Sequence, residues 1–333
     1  QRENPSNEGR LCVKGRFGFT FVNSPDRLKT PLIRRNGTLE EATWDEALDL
    51  VAEKFSAARG DAFAAIASAK LTNEENYLIQ KFSRAVMGTN NVDHCARLCH
   101  SPSVAGLVQS FGSGAMTSSS KDLGDARCIF AIGTNTTAAH PIIGLQVMRS
   151  IRAGGKLIVV NPRAIELARH ADLFIQNRAG SDVALLMGMM RVIVDEGLHD
   201  AQFIEARCEN FEAFRESLAE YDEATVEEKT GVPFAQVAEA ARMYAQNSPA
   251  AFLYAMGITQ HTHGTDNVLA TSNLAMLTGN VGLPSGGVNP LRGQSNVQGA
   301  CDMGALPNVY PGYQKVDLPE VKAKFEQAWG VEL

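Results

Sequence analysis

Cys128-Ile-Phe-Ala-Ile-Gly-Thr-Asn-Thr-Thr137 and Lys156-Leu-Ile-Val-Val-Asn-Pro-Arg163 decide the fold. Each opens on a five-residue run that is apolar except for Lys156. Each run is too short for a helix and ends in Gly, Asn or Pro, as a buried strand does. Between them, Ile142 to Ala153 has helical length and stops at Gly154-Gly155. Strand, crossover helix and strand over about 35 residues make a βαβ unit, and hence a parallel sheet.

The alternation extends both ways. Downstream, Asp172 to Ile175 predicts a strand, Asp182 to Glu196 a helix, and 200–246 largely helix. Ala250 to Ala255 predicts a further strand and Asp266 to Leu277 a helix, before a glycine-rich stretch from Gly279 to Gly299. Upstream, Thr43-Trp-Asp-Glu46 and Thr72-Asn-Glu-Glu75 are capping boxes. The first predicts a helix through Ala47, Leu48, Val51 and Phe55, with Gly60 as its stop. The second predicts one ending near Gly88. Ala62 to Ser68 has strand length, and the first forty residues read as loop and edge structure. The 333 residues suit about two domains.

Composition excludes several classes. With 31 Lys+Arg against 37 Asp+Glu, the net charge of −6 offers no basic surface for nucleic acid. The densest apolar stretch, Ala184 to Val194, is broken by Gly188 and Arg191, so neither a transmembrane helix nor direct membrane insertion is expected. No signal peptide is expected from the sequence at Gln1, although the chain does not begin with Met. Six cysteines, at 12, 95, 99, 128, 208 and 301, do not make a disulfide scaffold. Reduced thiols and a cytoplasmic location are the expectation.

Ligands of open parallel sheets sit beyond the carboxyl ends of the strands, here Gly133 to Thr137 and Asn161 to Arg163. The first is not G-x-G-x-x-G. The second ends its strand in Asn161, not in an acid for a ribose diol, which argues against NAD. Asn161 and Arg163 suit amide or phosphate recognition, or are plain turn chemistry. His94-Cys-Ala-Arg-Leu-Cys-His100 holds four candidate ligands without the second pair a structural zinc needs. A thiolate beside an imidazole suits a nucleophile pair, a ligand to a soft or high-valent metal, or two buried structural cysteines. In Gly282-Leu-Pro-Ser-Gly-Gly-Val-Asn-Pro-Leu-Arg-Gly-Gln294, Arg292 offers a fork for a carboxylate or phosphate. The alternative is a connecting loop with a surface ion pair. Cys12 sits among glycines and cations and cannot hold a cluster alone. His170, His199, Cys208 and Cys301 have no evident partner, and His261-Thr-His263 is a poor metal signal. Asp222 to Lys229 reads as a solvated face, and Met187, Met189 and Met190 as core.

Five segments together carry a resemblance: Asn7-Glu-Gly-Arg-Leu-Cys-Val-Lys-Gly-Arg16, Ala96-Arg-Leu-Cys-His-Ser-Pro-Ser-Val-Ala-Gly106, His140-Pro141, Val160-Asn-Pro-Arg163, and Gly287-Val-Asn-Pro-Leu-Arg-Gly-Gln-Ser-Asn-Val-Gln-Gly-Ala-Cys-Asp-Met-Gly304. In that order the chain resembles the catalytic (alpha) subunit of molybdenum- or tungsten-dependent formate dehydrogenases, in the bis-molybdopterin guanine dinucleotide oxidoreductase family. The resemblance implies an α/β fold of the formate dehydrogenase/DMSO reductase-like type. A parallel-sheet, Rossmann-like pterin-binding domain at 95–294 is inserted in a second α/β domain at 31–94 and 295–333, after a remnant of a [4Fe-4S] domain at 1–30.

The resemblance further implies Cys99 as the protein ligand of Mo or W, His100 as its acid/base and electrostatic partner, and Arg292 as the holder of formate. Cys12 would be the last of four ligands to a [4Fe-4S] cluster, with Lys14 between cluster and pterin. Gly133, Asn135, Asn161, Arg163, Gly180, Asp182, Gly257, Gln260, Gly293 and Gln294 would contact the two pterin guanine dinucleotides. Formate would be oxidised to CO2, by hydride transfer to a terminal sulfido ligand or by proton abstraction with separate electron transfer. Electrons would leave through the cluster to electron-transfer subunits or domains. Three further cluster cysteines upstream of Gln1 and a pterin-binding domain beyond Leu333 would make the chain an internal fragment, inactive alone. Three rivals stay open. The first is another member such as a nitrate reductase, against which Arg292 and His100 speak. The second is a non-catalytic iron–sulfur subunit like that of respiratory complex I, against which the intact Cys99-His100 pair speaks. The third is a metal-free Cys–His hydrolase.

Overall fold

Continuous apolar runs at strand length become the centre of a sheet covered on both faces. The computed structural model describes residue 4 and residues 7–333. Residues 1–3 and 5–6, part of the expected cluster-domain remnant, lie outside the described residues. The chain divides into two units. One is Leu98–Gly293 with the described residues up to Cys12, and the other is Val13–Arg97 with Gln294–Leu333.

The first unit holds a parallel sheet of β1 (Cys128–Ile132), β2 (Lys156–Val160), β3 (Leu173–Ile175), β4 (Ala250–Tyr254) and β5 (Gly287–Pro290). The order is β3-β2-β1-β4-β5, so the chain changes direction across the sheet between β1 and β4. That switch point is where doubly wound sheets bind ligands. The helices are α1 (Ser101–Phe111), α2 (Pro141–Arg152), α3 (Asp182–Asp195), α4 (Phe234–Gln246) and α5 (Gly264–Leu277). Side chains alternate between faces. Cys128, Phe130, Ile132, Ile158, Phe252 and Tyr254 share a core with Leu107 of α1, Leu185 of α3, Val237 of α4 and Val268 of α5. Ile129, Ala131, Leu157, Val159 and Leu253 pack on the other face, with Val147 of α2. Every residue of β1 and β4 is buried, so neither shows a polar–apolar alternation.

β5 departs from expectation. The stretch read as loop pairs in parallel with β4, Ala251 to Gly287 through Tyr254 to Pro290. Pro290 is tolerated because β5 is an edge strand. Leu291 N then donates to Tyr254 O at 2.8 Å, so the pairing reaches the residue beside Arg292.

Two glycines close the switch point. Gly133 has φ +58°, and a Cβ on it would lie 2.7 Å from the Gly257 carbonyl carbon. A Cβ on Gly257 would lie 2.5 Å from Gly133 O, while Gly257 N donates to that oxygen at 3.0 Å. Backbone opposes backbone, so no rotamer relieves the clash. Gly133→Ala is expected to destabilise by about 3 kcal/mol, joining left-handed strain to overpacking. Urea unfolding checks this, and an unchanged midpoint removes the close approach as the reason for glycine here.

In the second unit both capping boxes form. Glu46 N donates to Thr43 Oγ1 at 3.2 Å and Thr43 N to Glu46 Oε2 at 2.9 Å, opening a helix over Trp44–Ser56 that ends before Gly60. Thr72 and Glu75 repeat the exchange before Asn73–Lys81, continued by a π turn, Phe82–Val86, up to Gly88 at φ +70°. The first forty residues hold more structure than expected. A short helix spans Val13–Phe17, and Leu32–Arg35 pairs antiparallel with Thr38–Glu41. The strand expected over Ala62 to Ser68 shrinks to Ala65–Ile66, paired in parallel with Val92–Asp93. Among the described residues, no helix is long and apolar enough to cross a membrane.

Candidate active site

Helix α1 delivers Cys99 and His100. Pro102 stands in its first turn, where its fixed φ suits a helix start, and His100 is the capping residue. Gly106 lets α1 approach α5 closely, since a Cβ there would lie 2.7 Å from Val268 Cγ1. The turn after β4, Met256–Thr259, then grips the chain entering α1. Thr259 Oγ1 donates to Cys99 O, and Gln260 Nε2 donates to Leu98 O at 2.7 Å. Cys99 is 7 % exposed and His100 1 %.

Arg292 follows β5 and is half-buried, with its guanidinium donating to Gly114 O. Its main chain is held by two histidines. His100 Nε2 contacts Leu291 O at 3.2 Å, and His140 Nε2, from the N-terminus of α2, contacts Arg292 O at 3.1 Å. A carbonyl only accepts, so each Nε2 is the donor; the tautomers follow from this network. Burial, then the Arg292 charge, pushes the His100 pKa down to about 4. His100 Nδ1 lies 2.8 Å from Ser103 Oγ, which accepts from the Tyr254 hydroxyl at 2.9 Å. His100 and the segment bearing Arg292 therefore meet beyond the carboxyl ends of β4 and β5, with Cys99 next to His100 in the chain.

A second polar group lies beyond β3. Asp182 opens α3 and is buried, which pushes its carboxyl above the usual range, while the Asn177 hydrogen bond and the His261 and His263 imidazoles pull it back. Asn177 Nδ2 donates to Asp182 Oδ1 at 3.3 Å, and its buried Oδ1 has no partner among the described residues. Gly180, φ +83°, has open space at its Cβ position. Asn161 Oδ1 accepts from Arg163 N at 3.0 Å in a turn closing β2, with the Arg163 side chain exposed. Asn135 stands at the N-cap position of the short helix Thr136–Ala139 after β1, with no capping bond from its side chain.

The other expected residues are placed as follows. Cys12 is half-buried, and Lys14 is exposed on the Val13–Phe17 helix. Gly293 ends the first unit and Gln294 begins a segment of the second. The run from His94 to His100 does not act as one cluster: His94 lies in the second unit and turns to Cys301, Nε2 to Sγ 3.4 Å. That supplies the partner that Cys301 lacked on sequence grounds. Among the described residues, no three His, Cys, Asp or Glu are placed to hold a metal. Ser103, Tyr254, Thr259 and Asn177 were missed. Ser103 and Thr259 lie within or beside quoted motifs, but nothing local marks what they bond.

The residues fit an external group carrying both a soft acceptor site and hydrogen-bond donors. One buried thiol at a helix start can contribute a single soft ligand to a metal whose other ligands are not protein. The unpartnered Asn177 Oδ1 and the buried Asp182 carboxylate are acceptors suited to the N–H groups of a nucleobase.

A doubly wound sheet with these features beyond the carboxyl ends of its strands defines a cofactor-binding α/β protein. The chain belongs to the molybdopterin oxidoreductase family, whose profile matches residues 27–329. Membership implies a molybdenum- or tungsten-pterin cofactor. The chain is 51% identical over 328 residues to "F420-dependent formate dehydrogenase 1 subunit alpha" of Methanococcus maripaludis, covering 98% of this chain and 48% of that protein. It is 50% identical over 338 residues to "Formate dehydrogenase H" of Escherichia coli, covering 98% and 47%. Its fold matches acetylene hydratase from Pelobacter acetylenicus with a TM-score of 0.72 at 26% identity, covering 81% of this chain and 38% of that one. The chain thus spans about half the length of the curated relatives it matches.

Proposed function

We propose that the full-length protein oxidises formate to CO2 at a Mo or W bis-(molybdopterin guanine dinucleotide) centre held in part by this chain. The hydrogen bond of His100, which follows Cys99 in the chain, to the segment bearing Arg292 supports the reading, together with about 50% identity to proteins named formate dehydrogenase. When bound, the centre supplies a two-electron acceptor beside Cys99. Cys99 would give the metal its protein thiolate, just before the N-terminus of α1, where the helix dipole favours negative charge. Arg292 holds the formate carboxylate through a charge-assisted fork, necessary because a one-carbon anion offers almost no apolar surface. His100, adjacent to Cys99, fixes the main chain from which Arg292 projects.

The guanine dinucleotide arms would rest on Gly133, Asn135, Asn161, Arg163, Gly180, Asp182, Gly257, Gln260, Gly293 and Gln294. Asp182 and Asn177 would accept base N–H groups there. Cys12 would be one of four ligands to a [4Fe-4S] cluster and Lys14 a cation on the path of electrons to partner subunits or domains. In this reading the pterin domain is 95–294, inserted in 31–94 with 295–333, after a cluster-domain remnant at 1–30. The six scattered cysteines suit a reducing cytoplasm.

Metal and pterin analysis of the full-length protein, with formate-dependent dye reduction, tests the proposal. Mo or W with two pterin guanine dinucleotides per chain, and dye reduced only with formate, is the expected result. Absence of both metals overturns it.

A further inference from the structure

We propose that Tyr254 and Ser103 are positioning residues: a one-way hydroxyl chain that fixes which His100 nitrogen carries the proton, and through it the main chain that carries Arg292. The inference rests on the formate reading for what Arg292 holds, and on geometry for the chain itself.

The polarity is forced from one end. Leu291 O can only accept, so His100 Nε2, 3.2 Å away, donates. Tyr254 O–H donates to Ser103 Oγ at 2.9 Å, and Ser103 Oγ lies 2.8 Å from His100 Nδ1. Tyr254 and Ser103 are 0 % exposed, His100 1 % and Leu291 2 %. A buried hydroxyl hydrogen without an acceptor is costly, so the Ser103 proton goes to Nδ1. The order is Tyr254 to Ser103 to His100 to the Leu291 carbonyl.

The chain also closes on itself, because Leu291 N donates to Tyr254 O at 2.8 Å. The ends of β4 and β5 and the first turn of α1 thus form one hydrogen-bonded ring. With every member buried, the ring orients groups and gives no route to solvent. The opposite tautomer would set the Nε2 lone pair against the Leu291 oxygen. The repulsion would push out the segment bearing Arg292, although His140 still held the next carbonyl.

The test uses the full-length, metal-loaded protein in its oxidised state, labelled with 15N-histidine. The His100 signals are those missing from His100→Gln. In the wild type, Nε2 is expected protonated and Nδ1 bare. Ser103→Ala and Tyr254→Phe are expected to give mixed tautomers, and Ser103→Thr, which keeps the hydroxyl, to restore one. In parallel, Ser103→Ala is expected to raise the formate KM about tenfold with kcat changed far less, and Ser103→Thr to return it. Tyr254→Phe removes one oxygen only, so it reports even if Ser103→Ala folds poorly. A single unchanged tautomer in both variants overturns the proposal, as does a KM shift that Ser103→Thr fails to reverse. If the protein does not oxidise formate yet the tautomers mix as described, the function reading fails and the positioning chain stands.

Discussion

Replacing Cys99 with alanine in the full-length protein is expected to lower the proposed formate-dependent dye reduction at least about a thousandfold, the scale of loss when a group at the reacting centre is removed. His100 is the adjacent side chain with a donor atom, but Ser103 and Leu291 O occupy its two nitrogens. Among the described residues no His, Cys, Asp or Glu cluster stands ready to take over. The fold is expected to survive, because Cys99 is held through its main-chain oxygen by Thr259. The variant should therefore unfold close to the wild-type temperature and retain pterin, because the proposed contacts of the guanine arms lie at other strand ends. Metal content, pterin content and rate are measured together. A Cys99→Ala protein that oxidises formate at the normal rate removes Cys99 from the metal.

How far this site was legible depends on how local its determinants are. β1 and β2 could be read because burial on both faces makes them uninterrupted apolar runs. The capping boxes could be read because both partners sit within four residues. β5 was hidden by its own composition: Gly287 and Pro290 signal a loop, and the pairing with β4 that overrides them is non-local. Arg292 was found as a residue, while the strand that aims it was not.

The site's supporting bonds were out of reach for the same reason. Tyr254 and Ser103 are 151 residues apart, His140 and Arg292 152, and His100 and Leu291 191. No periodicity encodes such pairs. The Gly133 and Gly257 positions were expected to contact cofactor, and the fold gives each a reason to be glycine that is independent of any ligand, since the two backbones abut.

Arg292→Lys is expected to raise the formate KM about thirtyfold or more, with kcat affected less. A charge-assisted pair is worth about 2–3 kcal/mol, and a bidentate fork adds orientation that an ammonium cannot copy. Two features make the guanidinium specific here. Gly114 O takes one N–H and thereby sets the rotation of the planar group. The His100 and His140 contacts to the Leu291 and Arg292 carbonyls fix the point from which it projects. A lysine keeps the charge and loses both the plane and the anchor. Charge alone would predict little change, and steering of formate into the site would persist. Geometry predicts that the half-saturating formate concentration rises steeply while that of the electron-accepting dye stays constant. Steady-state kinetics of the metal-loaded full-length protein separates the two. An unchanged formate KM means that charge alone suffices, and withdraws Arg292 from binding substrate through its fork.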